Sequence, residues 1–389
     1  MPVDDLFNDS PTSTAGAIGQ TFQNPYQITQ LTNNSSNDYS PVISGNNIAW
    51  QYRNENDGAI YLYDGSSTTP LGNESANSYN HQISSSQLVW ETNTTESLEN
   101  NQVYLYDGSS IINLSANNTH NFDSDLSDGR VVWSGYDGND LDIYLYDGNN
   151  VINLSNNSTD EYSAQISGNN IIWLSYDGND TEIYLYNGSS TLQLTDNSTE
   201  DWAPQISGNN VVWQNYDGND DEIIFYNGSN TIELTDNNSL DYDPQISGSN
   251  LAWVGYDGND TEIFFYDGNS TTQLTNNNYD DSDPHISGNQ VVWSGSDGDD
   301  SEIYLYDGNR IIQLTDNETD DSAPQISDGQ VVWVGWDGTD YEIYQATPAS
   351  TPETNVYFGT NGNDTITASS LEDVIYSHAG SDTLIGGHN

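Results

Sequence analysis

Residues 244–275 read PQISGSNLAWVGYDGNDTEIFFYDGNSTTQLT, and most of the chain repeats this stretch with small changes. We number the copies units 1 to 8 in chain order by their tryptophans, which are Trp50, Trp90, Trp133, Trp173, Trp213, Trp253, Trp293 and Trp333. The spacing is 40 residues, except for 43 between units 2 and 3. A fixed period of this length is typical of supersecondary units that stack on one another.

Each unit contains four short strand-like segments, which in unit 6 are predicted at 244–247, 251–254, 262–266 and 271–275. The Gly-Ser-Asn, Asp-Gly-Asn-Asp and Asp-Gly-Asn turns between them supply the positive φ that tight hairpins need. Consecutive apolar residues in the strands indicate small sheets that are covered on both faces. The units must therefore stack, either as a closed β-propeller or as an open solenoid.

The two ends of the repeat array favour the closed ring. Unit 8 has three strands but no fourth, whereas residues 26–34, YQITQLTNN, match the final strand of a unit without the part that should precede it. We therefore predict an all-β fold, an eight-bladed β-propeller over 26–346 closed by its N-terminal strand. Residues 1–25 are predicted to be a disordered tail, 347–355 a linker, and 356–389 a separate C-terminal tail.

The repeat resembles the TolB-type, WD-like propeller repeats. The matching features around unit 6 are the Gln-Leu-Thr motif, Asp241, the Pro-x-x-Ser motif at 244–247, the apolar run 251–253, the Asp-Gly pair and the run 262–266. The resemblance covers about 26–347 and implies the propeller fold. It does not imply one activity, because such folds include binding scaffolds, side domains of peptidases and polysaccharide-degrading enzymes.

The charge of the chain is strongly negative. Its 60 Asp and Glu residues face three arginines (Arg53, Arg130 and Arg310) and no lysine, which gives a formal net charge of -57. Nucleic acids and anionic membranes both need a cationic protein surface, so neither is expected as a partner. So many carboxylates on one folded protein repel one another unless cations screen or bind them. We therefore expect surroundings rich in salt or divalent cations. No apolar run approaches the roughly 18 residues of a membrane span.

The turn between the second and third strands of units 3 to 8 has the pattern Asp-Gly-x-Asp. Its aspartates are Asp137, Asp140, Asp177, Asp180, Asp217, Asp220, Asp257, Asp260, Asp297, Asp300, Asp337 and Asp340. A further acid follows two residues later, at Asp142, Glu182, Glu222, Glu262, Glu302 and Glu342. Oxygen ligands clustered on a glycine-containing loop suit Ca²⁺. The alternative is that the pattern is simply a good hairpin turn, whose acids keep the surface around these turns soluble.

The C-terminal tail contains GTNGNDTIT at 359–367, and Asp364, Asp373 and Asp382 recur every nine residues. This motif resembles the haemolysin-type (RTX) calcium-binding nonapeptide, in which loops two repeats apart stack in a parallel β-roll and share one ion. The resemblance implies one calcium site, formed by Gly362, Asp364, Gly380 and Asp382. A tail this short is expected to fold only with calcium bound.

The RTX-like tail also implies secretion, to the medium or the cell surface, by a leaderless route. The first 20 residues fit this expectation, because they lack the basic start and apolar middle of a signal peptide.

The first strand of each blade is expected to line the central channel. One equivalent position of this strand is occupied by Val42, Gln82, Asp125, Gln165, Gln205, Gln245, His285 and Gln325. Asp125 and His285 lie four units apart and should face each other across the channel. They are candidate ligand-binding groups, and the alternative is a solvated channel lining.

Aromatic residues precede this strand in six successive units, at Tyr39, Tyr79, Phe122, Tyr162, Trp202 and Tyr242. Such an arc suits stacking on sugar rings, and Tyr162, Trp202 and Tyr242 are its predicted ligand contacts. The same rings would also serve to pack neighbouring blades together.

Enzyme signatures are scarce, since the chain has no GxSxG, no HExxH and no phosphate-binding loop. We therefore expect a secreted, calcium-binding, non-catalytic β-propeller that binds or scaffolds an extracellular glycan or matrix. One alternative is a polysaccharide lyase or glycosidase acting near Asp125, Trp202 and His285. The other is a structural subunit that joins copies of itself in a calcium-dependent assembly.

Overall fold

The computed structural model describes residues 25–54, 58–72, 77–93, 100–116 and 120–349, together with the backbone of four short segments in the C-terminal tail. The regular elements in these residues are β-strands. No part of the described chain forms a helix of the length and apolarity that crossing a membrane requires.

The strands are labelled in chain order. Before and within units 1 and 2 they are β1 (Tyr26–Gln30), β2 (Asn37–Ser44), β3 (Asn47–Arg53), β4 (Gly58–Tyr63), β5 (Thr68–Leu71), β6 (Asn77–Ser84), β7 (Gln87–Asn93), β8 (Asn101–Tyr106) and β9 (Ile111–Asn113). Units 3 to 5 contain β10 (Asn121–Ser127), β11 (Arg130–Tyr136), β12 (Leu141–Tyr146), β13 (Val151–Asn153), β14 (Glu161–Ser167), β15 (Asn170–Tyr176), β16 (Thr181–Tyr186), β17 (Thr191–Gln193), β18 (Asp201–Ser207), β19 (Asn210–Tyr216), β20 (Asp221–Tyr226) and β21 (Thr231–Glu233). Units 6 to 8 contain β22 (Asp241–Ser247), β23 (Asn250–Tyr256), β24 (Thr261–Tyr266), β25 (Thr271–Gln273), β26 (Asp281–Ser287), β27 (Gln290–Ser296), β28 (Ser301–Tyr306), β29 (Ile311–Gln313), β30 (Asp321–Ser327), β31 (Gln330–Trp336) and β32 (Tyr341–Pro348).

Each of units 3 to 7 forms one antiparallel sheet with its four strands in chain order. Units 1 and 2 form one eight-stranded sheet, because a single parallel bridge joins Gly58 to Asn77. In unit 6 the last strand stops at Gln273, two residues before the predicted end. The reason is that the Thr275 hydroxyl accepts the Ile263 N–H (2.9 Å), so a side chain takes the place of the strand pairing there.

The first strand of every unit starts earlier than predicted and contains a bulge. In unit 6 the pairing register shifts between Tyr242 and Gln245, and Asp243 has a φ of 51°. The bulge re-aims the side chains, so that Asp241 is buried while Gln245 reaches the centre of the molecule. The bulge residues with positive φ are Ser40, Asn80, Asp123, Ser163, Ala203, Asp243, Asp283 and Ala323.

The core lies between consecutive sheets. The Trp253 ring stacks on Phe264 of the neighbouring strand, with 5.7 Å between ring centroids and 15° between planes. Its indole N–H donates to Asp241 Oδ1 (2.9 Å), which satisfies the one polar atom of this fully buried side chain. Trp253 packs against Val212 and Phe225 of unit 5. The stacking of units predicted from the two-sided apolar strands is confirmed.

The two ends of the repeat array meet. Strand β1 pairs antiparallel with β32, from Tyr26 opposite Pro348 to Gln30 opposite Tyr344. Trp50 of unit 1 packs against buried residues of unit 8 in one hydrophobic cluster. Units 1 and 8, which are farthest apart in sequence, are therefore neighbours in space.

The described backbone of the C-terminal tail consists of β33 (Val356–Phe358), β34 (Thr365–Thr367), β35 (Val374–Tyr376) and β36 (Thr383–Ile385). Strand β33 pairs with β35, and β34 with β36, both in parallel. Paired strands are thus two nonapeptides apart. The predicted ligands Gly362, Asp364, Gly380 and Asp382 lie outside the described residues.

Candidate functional site

The Asp-Gly-x-Asp turns share one geometry in all six units that carry them. In unit 6 the Asp257 N–H donates to the Asp260 carbonyl oxygen (3.1 Å), and the Asp257 side chain accepts the Asn259 N–H (2.9 Å). Gly258 has a φ of 104°, a conformation that a side chain would strain. The first aspartate therefore holds the turn. The second, Asp260, is only 6% exposed.

Three carboxylates converge at the turn. In unit 6 one oxygen atom each of Asp257, Asp260 and Glu262 lies within 4.8 Å of the other two. The corresponding groups are Asp137, Asp140 and Asp142 in unit 3, Asp177, Asp180 and Glu182 in unit 4, and Asp217, Asp220 and Glu222 in unit 5. In unit 7 the group is Asp297, Glu302 and Asp316, while Asp300 keeps its place in the turn. In unit 8 Asp337 and Asp340 keep the turn, and Asp340 and Glu342 are buried.

Several of these buried oxygens receive no hydrogen bond from the described residues. In unit 6 they are Glu262 Oε2 and both carboxylate oxygens of Asp260, and Glu262 is 0% exposed. The equivalents are Asp140 Oδ1, Asp180 Oδ2, Glu182 Oε2, Glu222 Oε2, Asp300 Oδ1 and Oδ2, Glu302 Oε2, Asp340 Oδ1 and Glu342 Oε2. An ionised carboxylate buried without a partner costs several kcal/mol. Either a proton or a bound cation would lower this cost at each turn.

In the part of the chain that the structure describes, no ion pair involves these carboxylates. Within the described ranges the single salt bridge joins Arg310 to Asp307 (3.4 Å), in a different hairpin turn. Burial raises the pKa of Glu302 to about 7, so a proton would partly neutralise this group at neutral pH. A hard cation with oxygen ligands matches the donor set better than any group in the chain.

A central cavity of about 560 Å³ is lined by one residue from the first strand of each of the eight units. These residues are Val42, Gln82, Asp125, Gln165, Gln205, Gln245, His285 and Gln325. The predicted channel-lining position is therefore confirmed, and Asp125 and His285 line the same space.

Both carboxylate oxygens of Asp125 and the Nδ1 atom of His285 accept backbone hydrogen bonds. The two Asp125 carboxylate oxygens accept the backbone N–H groups of Leu126 and Ile166, each at 2.8 Å. His285 Nδ1 accepts the Ile326 N–H (3.2 Å). Burial raises the pKa of Asp125 to about 6 and lowers that of His285 to about 4. Both side chains link their own strand to the next unit, and this structural role does not require acid–base chemistry.

The aromatic residues predicted to contact a ligand are half-buried. Tyr162 and Tyr242 pack against hydrophobic clusters that join neighbouring units. Trp202 occupies the corresponding position in unit 5 and is also half-buried. Among the described residues these three rings do not line the central cavity. The packing role that the sequence left open accounts for Tyr162 and Tyr242.

A second row of aromatic residues, which the sequence analysis did not identify, lies beside the Asp-Gly-x-Asp turns. We call the surface formed by these turns the carboxylate-rich rim. The row consists of Tyr136, Tyr176, Tyr216 and Tyr256, which are between 38% and 45% exposed. Each directly precedes an Asp-Gly-x-Asp turn in one of four consecutive units. The signal in the sequence is the recurring Tyr-Asp-Gly triplet, which places an exposed ring beside each carboxylate group.

No protein-family model matches the chain, and no curated protein matches it in sequence. Solved structures do match its fold. The β-propeller domain of the trilobed protease from Pyrococcus furiosus aligns with a TM-score of 0.54 and 11% identity, over 73% of this chain and 99% of that one. The computationally designed Ika8 protein aligns with a TM-score of 0.57 and 17% identity, over 81% of this chain and 98% of that one.

A puromycin-hydrolysing peptidase from Mycobacterium tuberculosis aligns with a TM-score of 0.53 and 14% identity, and the alignment spans 62% of that longer chain. At such identities the likeness concerns the fold alone. The predicted all-β propeller architecture of repeated four-stranded sheets is confirmed.

Proposed function

We propose that this chain is a secreted, calcium-binding, non-catalytic β-propeller that binds or scaffolds extracellular glycan or matrix. The observation that carries the proposal is the set of buried, unpartnered carboxylate oxygens at the Asp-Gly-x-Asp turns. Ca²⁺ takes about six to eight oxygen ligands, including carboxylates and carbonyls, and neutralises the charge that they concentrate. A formal net charge of -57 is the second reason to expect bound divalent cations.

The proposed architecture is a ring of eight blades closed by the N-terminal strand. Three observations support it: the pairing of β1 with β32, the packing of unit 1 on unit 8, and the single cavity lined by all eight units. In this ring the bridge between Gly58 and Asn77 is a local contact between two blades.

The glycan-binding part of the proposal rests on the exposed tyrosines Tyr136, Tyr176, Tyr216 and Tyr256. Exposed aromatic rings offer flat apolar faces with a polar edge, a surface suited to sugar rings. A calcium ion at the adjacent turn has coordination positions for sugar hydroxyl or carboxylate oxygens. The expected ligand is therefore a polysaccharide that spans several units along this rim.

The calcium proposal is tested on the full-length protein after removal of metal with a chelator. Bound calcium is counted by metal analysis, and thermal unfolding is followed with Ca²⁺ or with NaCl at the same ionic strength. We expect Ca²⁺ to raise the melting temperature beyond the effect of NaCl, since each occupied site adds about 2.7 kcal/mol at one hundred times its dissociation constant. Identical unfolding curves in Ca²⁺ and in chelator would overturn the proposal.

The glycan proposal is tested by affinity electrophoresis in acidic and neutral polysaccharides, with Ca²⁺ and with chelator. We expect calcium-dependent retardation that Tyr176→Ala and Tyr216→Ala reduce. The matched control is Leu192→Ala, which removes a 50% exposed apolar side chain from the outer strand of unit 4. If all three variants are retarded to the same extent, the glycan does not bind through the tyrosines of this rim.

The C-terminal tail is proposed to be an RTX-like calcium module that accompanies secretion. The parallel pairing of strands two nonapeptides apart supports this assignment. Removing residues 350–389 should lower the number of bound calcium ions by one and leave the unfolding of the propeller unchanged.

A further inference from the structure

Each Asp-Gly-x-Asp turn lies against a carboxylate of the next unit. Asn277, in the connection between units 6 and 7, donates its backbone N–H to Glu262 Oε1 (2.7 Å) and its side-chain amide to Asp281 Oδ2 (2.9 Å). One residue thus holds an acid of unit 6 beside an acid of unit 7. Glu262 is 0% exposed and Asp281 is 2% exposed, so the pair is shielded from water.

The same pair recurs at six unit boundaries. The pairs are Asp142 with Glu161, Glu182 with Asp201, Glu222 with Asp241, Glu262 with Asp281, Glu302 with Asp321, and Glu342 with Asp38. At the boundary of units 3 and 4 the longer and shorter side chains are exchanged, and two asparagines replace the single bridging one: Asn153 donates to Asp142, and Asn157 donates to Glu161. The total length of the two acids is therefore kept.

The remaining two boundaries carry neutral residues. They follow units 1 and 2, the two units without the Asp-Gly-x-Asp turn. The paired positions are Ala59 with Ser78 after unit 1, and Gln102 with Asn121 after unit 2. The turn and both acids are thus present together or absent together. We conclude that they are parts of one device.

The hydrogen bonds available at a pair do not neutralise it. Between units 7 and 8, Thr315 accepts the Ile303 N–H (2.8 Å) and has one proton to donate, while Glu302 and Asp321 are both within its reach. Glu302 Oε2 stays unpartnered in a fully buried side chain. Between units 8 and 1, Asp38 Oδ1 is likewise buried and unpartnered. These unpartnered oxygens point to a positively charged ligand that binds them without donating hydrogen bonds.

We propose that a divalent cation of the calcium class binds at each of these six boundaries, held jointly by the turn of one unit and by the first-strand carboxylate of the next. This inference rests on the proposed calcium binding and adds that every ion ties two units together. Five ions join consecutive units from 3 to 8. The sixth joins unit 8 to unit 1 through Asp340, Glu342 and Asp38, beside the paired strands β1 and β32.

The test compares two charge-removing variants of unit 6 and its boundary in the full-length protein, with Ca²⁺ as the probe. Asp281→Asn removes only the carboxylate of the following unit. It keeps an oxygen that accepts the Trp293 indole N–H, as Asn121 already does for Trp133. Asp267→Asn is the matched control, because it removes the same charge from another turn of unit 6. Units 4 and 5 already carry asparagine at the equivalent position, as Asn187 and Asn227.

We expect Asp281→Asn to bind one calcium ion fewer than the wild type, as counted by metal analysis and calorimetric titration. Its calcium-induced rise in melting temperature should be smaller, whereas Asp267→Asn should match the wild type in both measurements. If Asp281→Asn binds as many ions with unchanged affinity while Asp260→Asn loses one, each ion is held by the turn alone. That result overturns the inference and leaves the proposed calcium binding intact. A wild type that binds no calcium defeats both.

The double variant Glu262→Gln with Asp281→Asn guards against a folding defect. It reproduces the Gln102 and Asn121 pair that the chain already uses between units 2 and 3. We expect it to fold in the presence of chelator, to be more stable there than the wild type, and to lack one calcium ion. An unchanged ion count in this folded variant would also overturn the inference.

Discussion

Glu91 is a buried acid outside the Asp-Gly-x-Asp turns, at a position where units 1 and 5 carry Gln51 and Gln214. Burial, with a smaller contribution from Asp123, raises its pKa to about 7 from an ordinary value of 4.5. Its Oε1 accepts the Asn80 side-chain amide (2.7 Å) and the Ser124 N–H (3.0 Å). A glutamine oxygen would accept both bonds without carrying charge.

We predict that Glu91→Gln stabilises the protein at high pH only. Below about pH 4.5 the carboxyl group is protonated in the folded and unfolded states, and the variant should match the wild type. From pH 4.5 to 7 the unfolded state ionises first, so the wild type loses stability, and above pH 7 the full penalty is on the order of 3 kcal/mol. Denaturant unfolding at pH 4.5 and pH 8 measures this difference.

The control for this prediction is Glu233→Gln, the same change at an exposed position of strand β21. It should leave unfolding unchanged at both pH values. An equal stability of Glu91→Gln and wild type at pH 8 would mean that Glu91 ionises freely in the folded protein.

At the scale of the element, the second strand of unit 6 carries a glycine at the point where an aromatic ring of the third strand packs against its backbone. A Cβ atom on Gly255 would come within 2.6 Å of Asp241 Oδ1 and 2.7 Å of the Phe264 ring. The Phe264 ring is stacked on the buried Trp253 ring, so moving it aside would disturb that packing. We predict that Gly255→Ala lowers the free energy of unfolding by about 1–3 kcal/mol, measured with calcium bound.

The comparison for Gly255→Ala is Ser175→Ala, at the same position of unit 4. A Cβ atom is already accommodated there, so this change removes only the hydroxyl group, with its bond to Glu161 Oε1 (3.1 Å) and its longer contact with Thr159 Oγ1 (3.4 Å). We expect a cost of about 1 kcal/mol. If Gly255→Ala costs no more than Ser175→Ala, the close packing of Phe264 on Trp253 does not restrict this position.

The sequence was sufficient for features that repeat within one unit. The four strands of unit 6, the turn at Asp257 and the cavity position of Gln245 all follow from period, glycine and apolar pattern. The bulge at Asp243 was missed, because an aspartate or alanine with positive φ has no local signature. The pairing of Glu262 with Asp281 was missed for another reason: it crosses a unit boundary, and its register depends on that bulge.

At the scale of the whole molecule, repulsion among acidic residues should make the metal-free protein depend on salt. The Debye length falls from about 30 Å at 0.01 M to about 8 Å at 0.15 M salt, so distant charges on the propeller stop interacting. We predict that NaCl raises the melting temperature of the chelated protein over this range, by less than micromolar to millimolar Ca²⁺ does. Scanning calorimetry in matched buffers decides, and a melting temperature that falls with NaCl would contradict repulsion as the dominant long-range effect.

The junction of the two chain ends gives the last prediction. Without β1, strand β32 would expose its edge. Further contacts with unit 8 would also be lost, among them the Leu31 N–H bond to the Ile343 carbonyl oxygen (2.8 Å), the Ile343 N–H bond to the Thr32 hydroxyl (2.8 Å) and the Asn34 N–H bond to Glu342 (2.6 Å). Removing residues 1–34 should therefore lower the melting temperature by about 10 °C or more and promote association through the open edge. Removing only residues 1–24 keeps β1 and should leave the melting temperature unchanged.

A synthetic peptide of residues 22–36, added to the protein that lacks residues 1–34, should restore its melting temperature by pairing with β32 in trans. The reason is that the exposed edge of β32 offers unpaired backbone donors and acceptors. A truncated protein that melts like the wild type and stays monomeric would mean that the stacked units hold together without β1.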